Sequence, residues 1–189
     1  MPTLEINSEH FTGSATLPQD CSSLEFFDCV FSNCNFQEAD LSGARFLDCE
    51  FEKTNLSVAD LKNTSFRGCA FRGCKAVGTN WSATNQFFSN VYSDCILNGS
   101  IFMNMDLRGL EFCGCSLLDV DFSETDMRNV KFGESSLSGA QFRNSNLEKA
   151  DLSFATKYDI DLNYNKIKGA KFSLPEATSL LKGLGIELV

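Results

Sequence analysis

Nine cysteines, one histidine and twenty-five carboxylates are the residues of this chain that invite a chemical reading. A cysteine can ligate a metal, act as a nucleophile or close a disulfide, and a histidine can serve as ligand or base. The single histidine, His10, precedes the region where the cysteines recur, so neither a His-based triad nor a His-rich metal site can be built. An odd cysteine count suits a disulfide framework poorly. Glycine-rich phosphate loops are absent as well. The cysteines have a different regularity: Cys29, Cys49 and Cys69 stand twenty residues apart, as do Cys95 and Cys115. Such spacing describes the chain that carries them, and that chain is where function has to be sought.

A large apolar residue returns at every fifth position from Phe26 through Phe31, Phe36, Leu41, Phe46, Phe51, Leu56, Leu61, Phe66 and Phe71. Ala76 is a weak slot before Trp81. A second run, one residue out of phase, starts at Phe87 and continues through Tyr92, Leu97, Phe102, Leu107, Phe112 and onward to Leu152. After a break at Lys157 it recovers at Leu162, Ile167 and Phe172. Two residues before each large side chain sits a smaller one, such as Cys29, Cys34, Ala39, Ala44, Cys49, Thr54 or Thr64. Seven of the nine cysteines occupy this small slot: Cys29, Cys34, Cys49, Cys69, Cys74, Cys95 and Cys115. Buried cysteine behaves as a small apolar residue, so these read as packing rather than catalysis. Cys113 falls outside the slot and is the best candidate for a reactive thiol, with no activating neighbour in sequence.

Period five fits neither ordinary element. On an α-helix, residues five apart lie about 140° from one another and share no face. On a straight strand an odd spacing throws alternate members onto opposite faces. The pattern works if the chain turns a corner every five residues, with the small and large slots inward and polar residues or glycine outward and at the corner. The longer period of twenty, seen in Phe102, Phe122 and Phe142, sets four sides per coil; a fifteen-residue coil would stack Phe on Leu. The expected fold is all-β, a right-handed quadrilateral β-helix over residues 22–172, with about seven coils and a length on the order of 35 Å.

The exceptions are confined to three places. One extra residue separates the two runs, so the 82–90 segment must absorb it as a bulge or loop. Phe87 and Phe88 are adjacent there, and only one of them can fill a core slot on an extended chain. Tyr158 is expected outside the regular wall. Residues 1–21 repeat weakly and read as an irregular or strand-like lid. At the other end, Ser173 and Glu176 have capping-box spacing with Pro175 between them, which predicts a short α-helix at about 174–183 within a capping segment 173–189. Its apolar residues Leu174, Ala177, Leu180, Leu181, Leu184 and Ile186 exceed what one capping face needs, so a homodimer interface is expected there.

Charge narrows the function. Sixteen Lys and Arg against twenty-five Asp and Glu give a net charge of −9, which opposes direct binding to nucleic acid or an anionic membrane and favours a partner with a basic surface. No basic leader or long apolar stretch is seen, which predicts a cytoplasmic protein. No cofactor, metal or catalytic residue is expected. The outward carboxylates Asp40, Glu50, Asp60, Asp106, Glu111, Asp121, Asp126, Asp151 and Asp161, together with Phe87 and Phe88, are the candidate contact residues.

The stretches ADLSGARF, ADLKNTSF and SNLEKADLSFA resemble the pentapeptide-repeat family over nearly all of residues 22–172. The C-terminal segment YDIDLNYNKIKGAKFSLPEATSLLKGLGIELV, with NCNFQEADLSGARF and GTNWSA, is similar to the albicidin-resistance, microcin B17 immunity and quinolone-resistance (Qnr-type) group. That resemblance implies a dimer joined through C-terminal helices that binds DNA gyrase, with topoisomerase IV as a second target, as an acidic mimic of a DNA duplex. Large projecting loops typical of some quinolone-resistance members are absent, which weakens the expectation of quinolone protection more than that of gyrase binding. The alternative expectation is a structural interaction scaffold without topoisomerase activity.

Overall fold

The computed structural model describes residues 4–13, 17 and 20–184, with side chains as far as residue 181. The chain winds as a right-handed, four-sided solenoid of about 8 turns built almost wholly from parallel β-structure. At a strand spacing of roughly 4.8 Å it is about 38 Å long. The first side is a five-stranded ladder running from Glu5–Asn7 through Glu25–Phe27, Arg45–Leu47 and Ser65–Arg67 to Gln86–Phe88. The second is a six-stranded ladder from His10–Thr12 to Glu111–Cys113. The third and fourth sides are held by single bridges, such as Asn35 to Asn55 and Asp40 to Asp60. The segment read as a lid therefore supplies the first strands of two sides, in register with Phe26 and Phe31 through Ile6 and Phe11.

The period of twenty becomes stacking. Phe26 pairs with Phe46 and Phe46 with Phe66, ring on ring, with centroids 5.0 Å apart in both contacts. Phe31, Phe51, Phe71, Tyr92 and Phe112 form the second column, and Trp81, Phe102, Phe122 and Phe142 the fourth. Each buried aromatic of this kind stabilises the fold by roughly 2–3 kcal/mol through removal of apolar area from water. Four corners per turn require a residue with positive φ, which is why Gly, Asn and Asp recur there, as at Asn33, Asp48, Asn63 and Gly78.

The small slots do more than leave room. Thr54, Thr64, Thr79 and Ser135 donate their hydroxyls to the carbonyls of Phe31, Leu41, Leu56 and Phe112 in the preceding turn, at 2.7–2.9 Å. Cys49, Cys69 and Cys74 point their thiols at the matching carbonyls of Phe26, Phe46 and Phe51. Cysteine is thus used as a weaker threonine, tying one turn to the next.

The extra residue lies in the fourth side. Trp81–Ala83 forms a 3-10 turn whose first two amides, Trp81 and Ser82, both donate to the Ile101 carbonyl. The register consequently jumps from twenty to twenty-one, Ser65 pairing with Gln86 and Asn80 with Ile101, and returns to twenty at Ile96 and Ser116. Trp81 stays fully buried, so the turn accommodates the insertion without opening the core.

Two expectations at the C-terminal end are corrected. Glu176–Leu184 is a 3-10 helix rather than an α-helix. Both groups of the anticipated capping box are engaged by the last turn: the Ser173 hydroxyl donates to the Ser153 carbonyl, and the Glu176 carboxylate accepts from the Lys157 amide. Tyr158 is buried and packs against Phe172, while its neighbour Lys157 takes the exposed corner with φ 58°.

Candidate functional site

Burial holds Cys21, Cys49 and Cys69 in the neutral form. It pushes Cys21 up to about 11 and Cys69 to about 12, and raises Cys49 as well. Cys113 alone among the nine is exposed. Among the described residues no group of His, Cys, Asp and Glu is arranged to hold a metal ion, and no helix is long and apolar enough to cross a membrane. The surface that remains is the outer wall.

The structure sorts the nine candidate carboxylates onto three sides. Asp106 and Asp126 lie on the first side, where Arg108 and Arg128 grip them at 2.6 Å and Arg108 also reaches Asp126 at 3.9 Å. These guanidinium contacts hold both aspartates below the usual carboxylate range. Glu50, Glu111 and Asp151 lie on the second side, paired with Arg72, Lys131 and Lys171. Asp40, Asp60 and Asp121 stand on the bridged fourth side, Asp161 follows at the same sequence spacing across a cavity from Gln141, and among the described residues no ion pair includes any of the four. Asp20 begins the same column, and Glu38 and Asp119 sit at the adjoining corner between the third and fourth sides. Each candidate carboxylate of the first and second walls is therefore paired with a cation, whereas those of the fourth wall, which also carries Lys62 and Arg143, are not.

Local geometry explains why aspartate recurs there. Its Oδ1 accepts the amide two residues on, from Ser42, Lys62, Ser123 and Asn163, and so closes the start of each corner. That hydrogen bonding, through Ser42, lowers the Asp40 pKa. Asn35, Asn55 and Asn146 perform the same closure elsewhere without charge. Charge on the fourth side is consequently not dictated by the corner.

The two candidate phenylalanines divide as the alternation requires. Phe87 is buried against Trp81, and Phe88 is exposed on the first side beneath the Arg67 guanidinium, 5.0 Å from its ring centre. Phe88 is not on the wall that carries the unpaired aspartates. At the C-terminal end Leu180 is buried, Ala177 and Leu181 are half-buried, and Leu174 is 79% exposed beside Phe154 at 72%. Ile186 and the Leu184 side chain lie outside the described residues. The reading by sequence missed Glu38, Asp119 and an exposed apolar group around Ile101. The last was visible as an isoleucine standing in a column otherwise filled by Asp, Asn and Gln.

A family profile described as a pentapeptide repeat region matches residues 24–91 and 95–172. Among curated proteins no significant sequence match is found. Trypsin-treated QnrB1, a plasmid-mediated fluoroquinolone resistance protein, superposes with a TM-score of 0.66 at 20% identity, covering 99% of this chain and 98% of its own. Full-length QnrB1 gives a TM-score of 0.60 at 20% identity, with 97% and 98% covered. HetL from the cyanobacterium Nostoc sp. strain PCC 7120, involved in heterocyst differentiation regulation, gives 0.52 at 19% identity, with 90% and 84% covered. These likenesses concern the fold.

Proposed function

The chain belongs to the pentapeptide repeat family, and on that premise we propose that it is a non-enzymatic protein that binds DNA gyrase or topoisomerase IV and confers resistance or immunity to toxins directed at them. The single observation that carries this reading is the fourth wall, where aspartates outside any ion pair among the described residues outnumber the cations Lys62 and Arg143. A topoisomerase channel that accepts DNA is lined by cations, and a rod with carboxylate charge on one side is complementary to such a lining. The paired carboxylates of the first and second walls leave one preferred orientation in the channel. QnrB1, which shares the fold, is a fluoroquinolone resistance protein, and this supports the same direction.

The proposal includes a homodimer joined at the C-terminal 3-10 helix, for which the exposed Leu174 and Phe154 provide apolar surface. Supercoiling and drug-induced cleavage by purified gyrase, with added albicidin, microcin B17 or a quinolone, test the function. Protection from at least one toxin at protein concentrations that leave supercoiling measurable is the expected result. No change in supercoiling or in cleavage at any protein concentration favours the scaffold reading.

A further inference from the structure

The aspartate column of the fourth side is interrupted at its middle. Asp40 and Asp60 are followed by Asn80 and Ile101 before Asp121 resumes it, a gap of three turns or about 14 Å. Around the interruption exposed apolar residues gather on the outer wall, set among Lys75, Asn98 and Ser116. Met103 lies two residues beyond Ile101 on the same side and is 44% exposed. Across the corner, on the third side, Val58 is 51%, Ile96 44% and Leu118 41% exposed, with Val77 half-buried between them. The ladder places these residues on successive turns: the Val58 amide donates to the Val77 carbonyl, and the Gly99 amide to the Leu118 carbonyl. The corresponding outward slots to either side hold Asn35, Gln37, Asn55, Ser136 and Ser138, so the solenoid does not require apolar residues there.

Val58 strengthens the case. It occupies a corner with φ 48°, a conformation that β-branched residues avoid, where the equivalent positions hold Glu38, Gly78, Gly99, Asp119 and Gly139. Burial does not explain this choice, since half of the side chain faces solvent and the rest leans over Gly78. Strain kept at an exposed position points to a use outside the fold.

We propose that this edge between the third and fourth sides, at mid-rod, receives an apolar protrusion of the partner protein whose flanks are basic. The inference rests on the topoisomerase reading and names the part of the rod that contacts the enzyme. Charge complementarity selects the occupant. Glu38, Asp40 and Asp60 bound the patch at one end and Asp119 and Asp121 at the other; none of them is in an ion pair among the described residues, and these five carboxylates outnumber the two cations beside the patch, Lys62 and Lys75. Nucleic acid and anionic membrane would meet like charge, and a second copy of this chain would set its own aspartates against these. A protein surface with an apolar centre and lysine or arginine around it satisfies both features, in the usual arrangement of an apolar core within a polar rim.

The test is binding of gyrase by the intact protein and three variants across a range of salt: Val58→Asn, Ile101→Asn with Met103→Gln, and Asp60→Asn with Asp121→Asn. Asparagine suits the left-handed corner at 58 and the corner closure at 101, so thermal midpoints at or above that of the unaltered protein are expected. The two apolar-patch variants should bind at least fivefold more weakly with an unchanged salt slope, while the aspartate variant flattens the slope. Binding within twofold of the unaltered protein by both patch variants, with the aspartate variant weakened, overturns the patch and leaves the acidic-wall reading standing. Absence of gyrase binding by the unaltered protein overturns both. Loss of a dimer on patch substitution, without loss of gyrase affinity, assigns the patch to self-association and also overturns the proposal.

Discussion

Tyr92 occupies a phenylalanine slot between Phe71 and Phe112, fully stacked with both, yet its hydroxyl finds no hydrogen-bond partner. A buried hydroxyl without a partner costs stability, so Tyr92→Phe should stabilise the solenoid by about 1–2 kcal/mol, measured by denaturant unfolding. A loss of stability would show that the hydroxyl is satisfied in solution. Thiol chemistry gives a second check at this scale. One cysteine per chain, Cys113, should react with an alkylating reagent under native conditions, and the other eight only after unfolding, as mass spectrometry would read directly. At this scale the inward slots were legible from the five-residue spacing alone, because bulk and polarity decide them. The pairing of outward carboxylates was not, since Asp126 and Asp121 look alike in sequence. Their difference lies in Arg128 two residues after Asp126, where Ser123 follows Asp121.

Among elements, the regular turns were predictable because each repeats the same inward pair and polar corner. The departures depend on contacts between turns. The insertion after Trp81 could be counted from the phase shift, but its 3-10 form arises from the Ile101 carbonyl one turn away, which accepts from both Trp81 and Ser82. The C-terminal helix was misread as α-helical because Ser173 and Glu176 have capping spacing, and the last turn of the solenoid claims both side chains instead. The exposure of Leu174, with Leu181 half-buried, makes these two the residues to alter at the proposed dimer contact, in preference to Leu180, which packs into the core. Leu174→Asp with Leu181→Asp should reduce the mass in solution from two chains to one while the thermal midpoint falls little. A single-chain mass for the unaltered protein would confine the helix to capping its own rod.

For the whole molecule, the informative property is where the charge lies. A net charge of −9 says only that a basic partner is favoured. The structure adds that cations pair with the candidate carboxylates of the first and second walls and, among the described residues, with none on the fourth, which has an apolar interruption at its centre. Aspartate-to-asparagine changes isolate this property, because Asn35, Asn55 and Asn146 already close corners in the same way without charge. The most direct measurement compares gyrase affinity for two neutralised proteins. In one, the fourth-wall residues Asp40, Asp60, Asp121 and Asp161 become asparagine; in the other, the second-wall residues Glu50, Glu111 and Asp151 become glutamine or asparagine. The account predicts at least a tenfold loss of affinity for the first and less than a threefold change for the second. Equal losses for both, or a larger loss for the second, would contradict it.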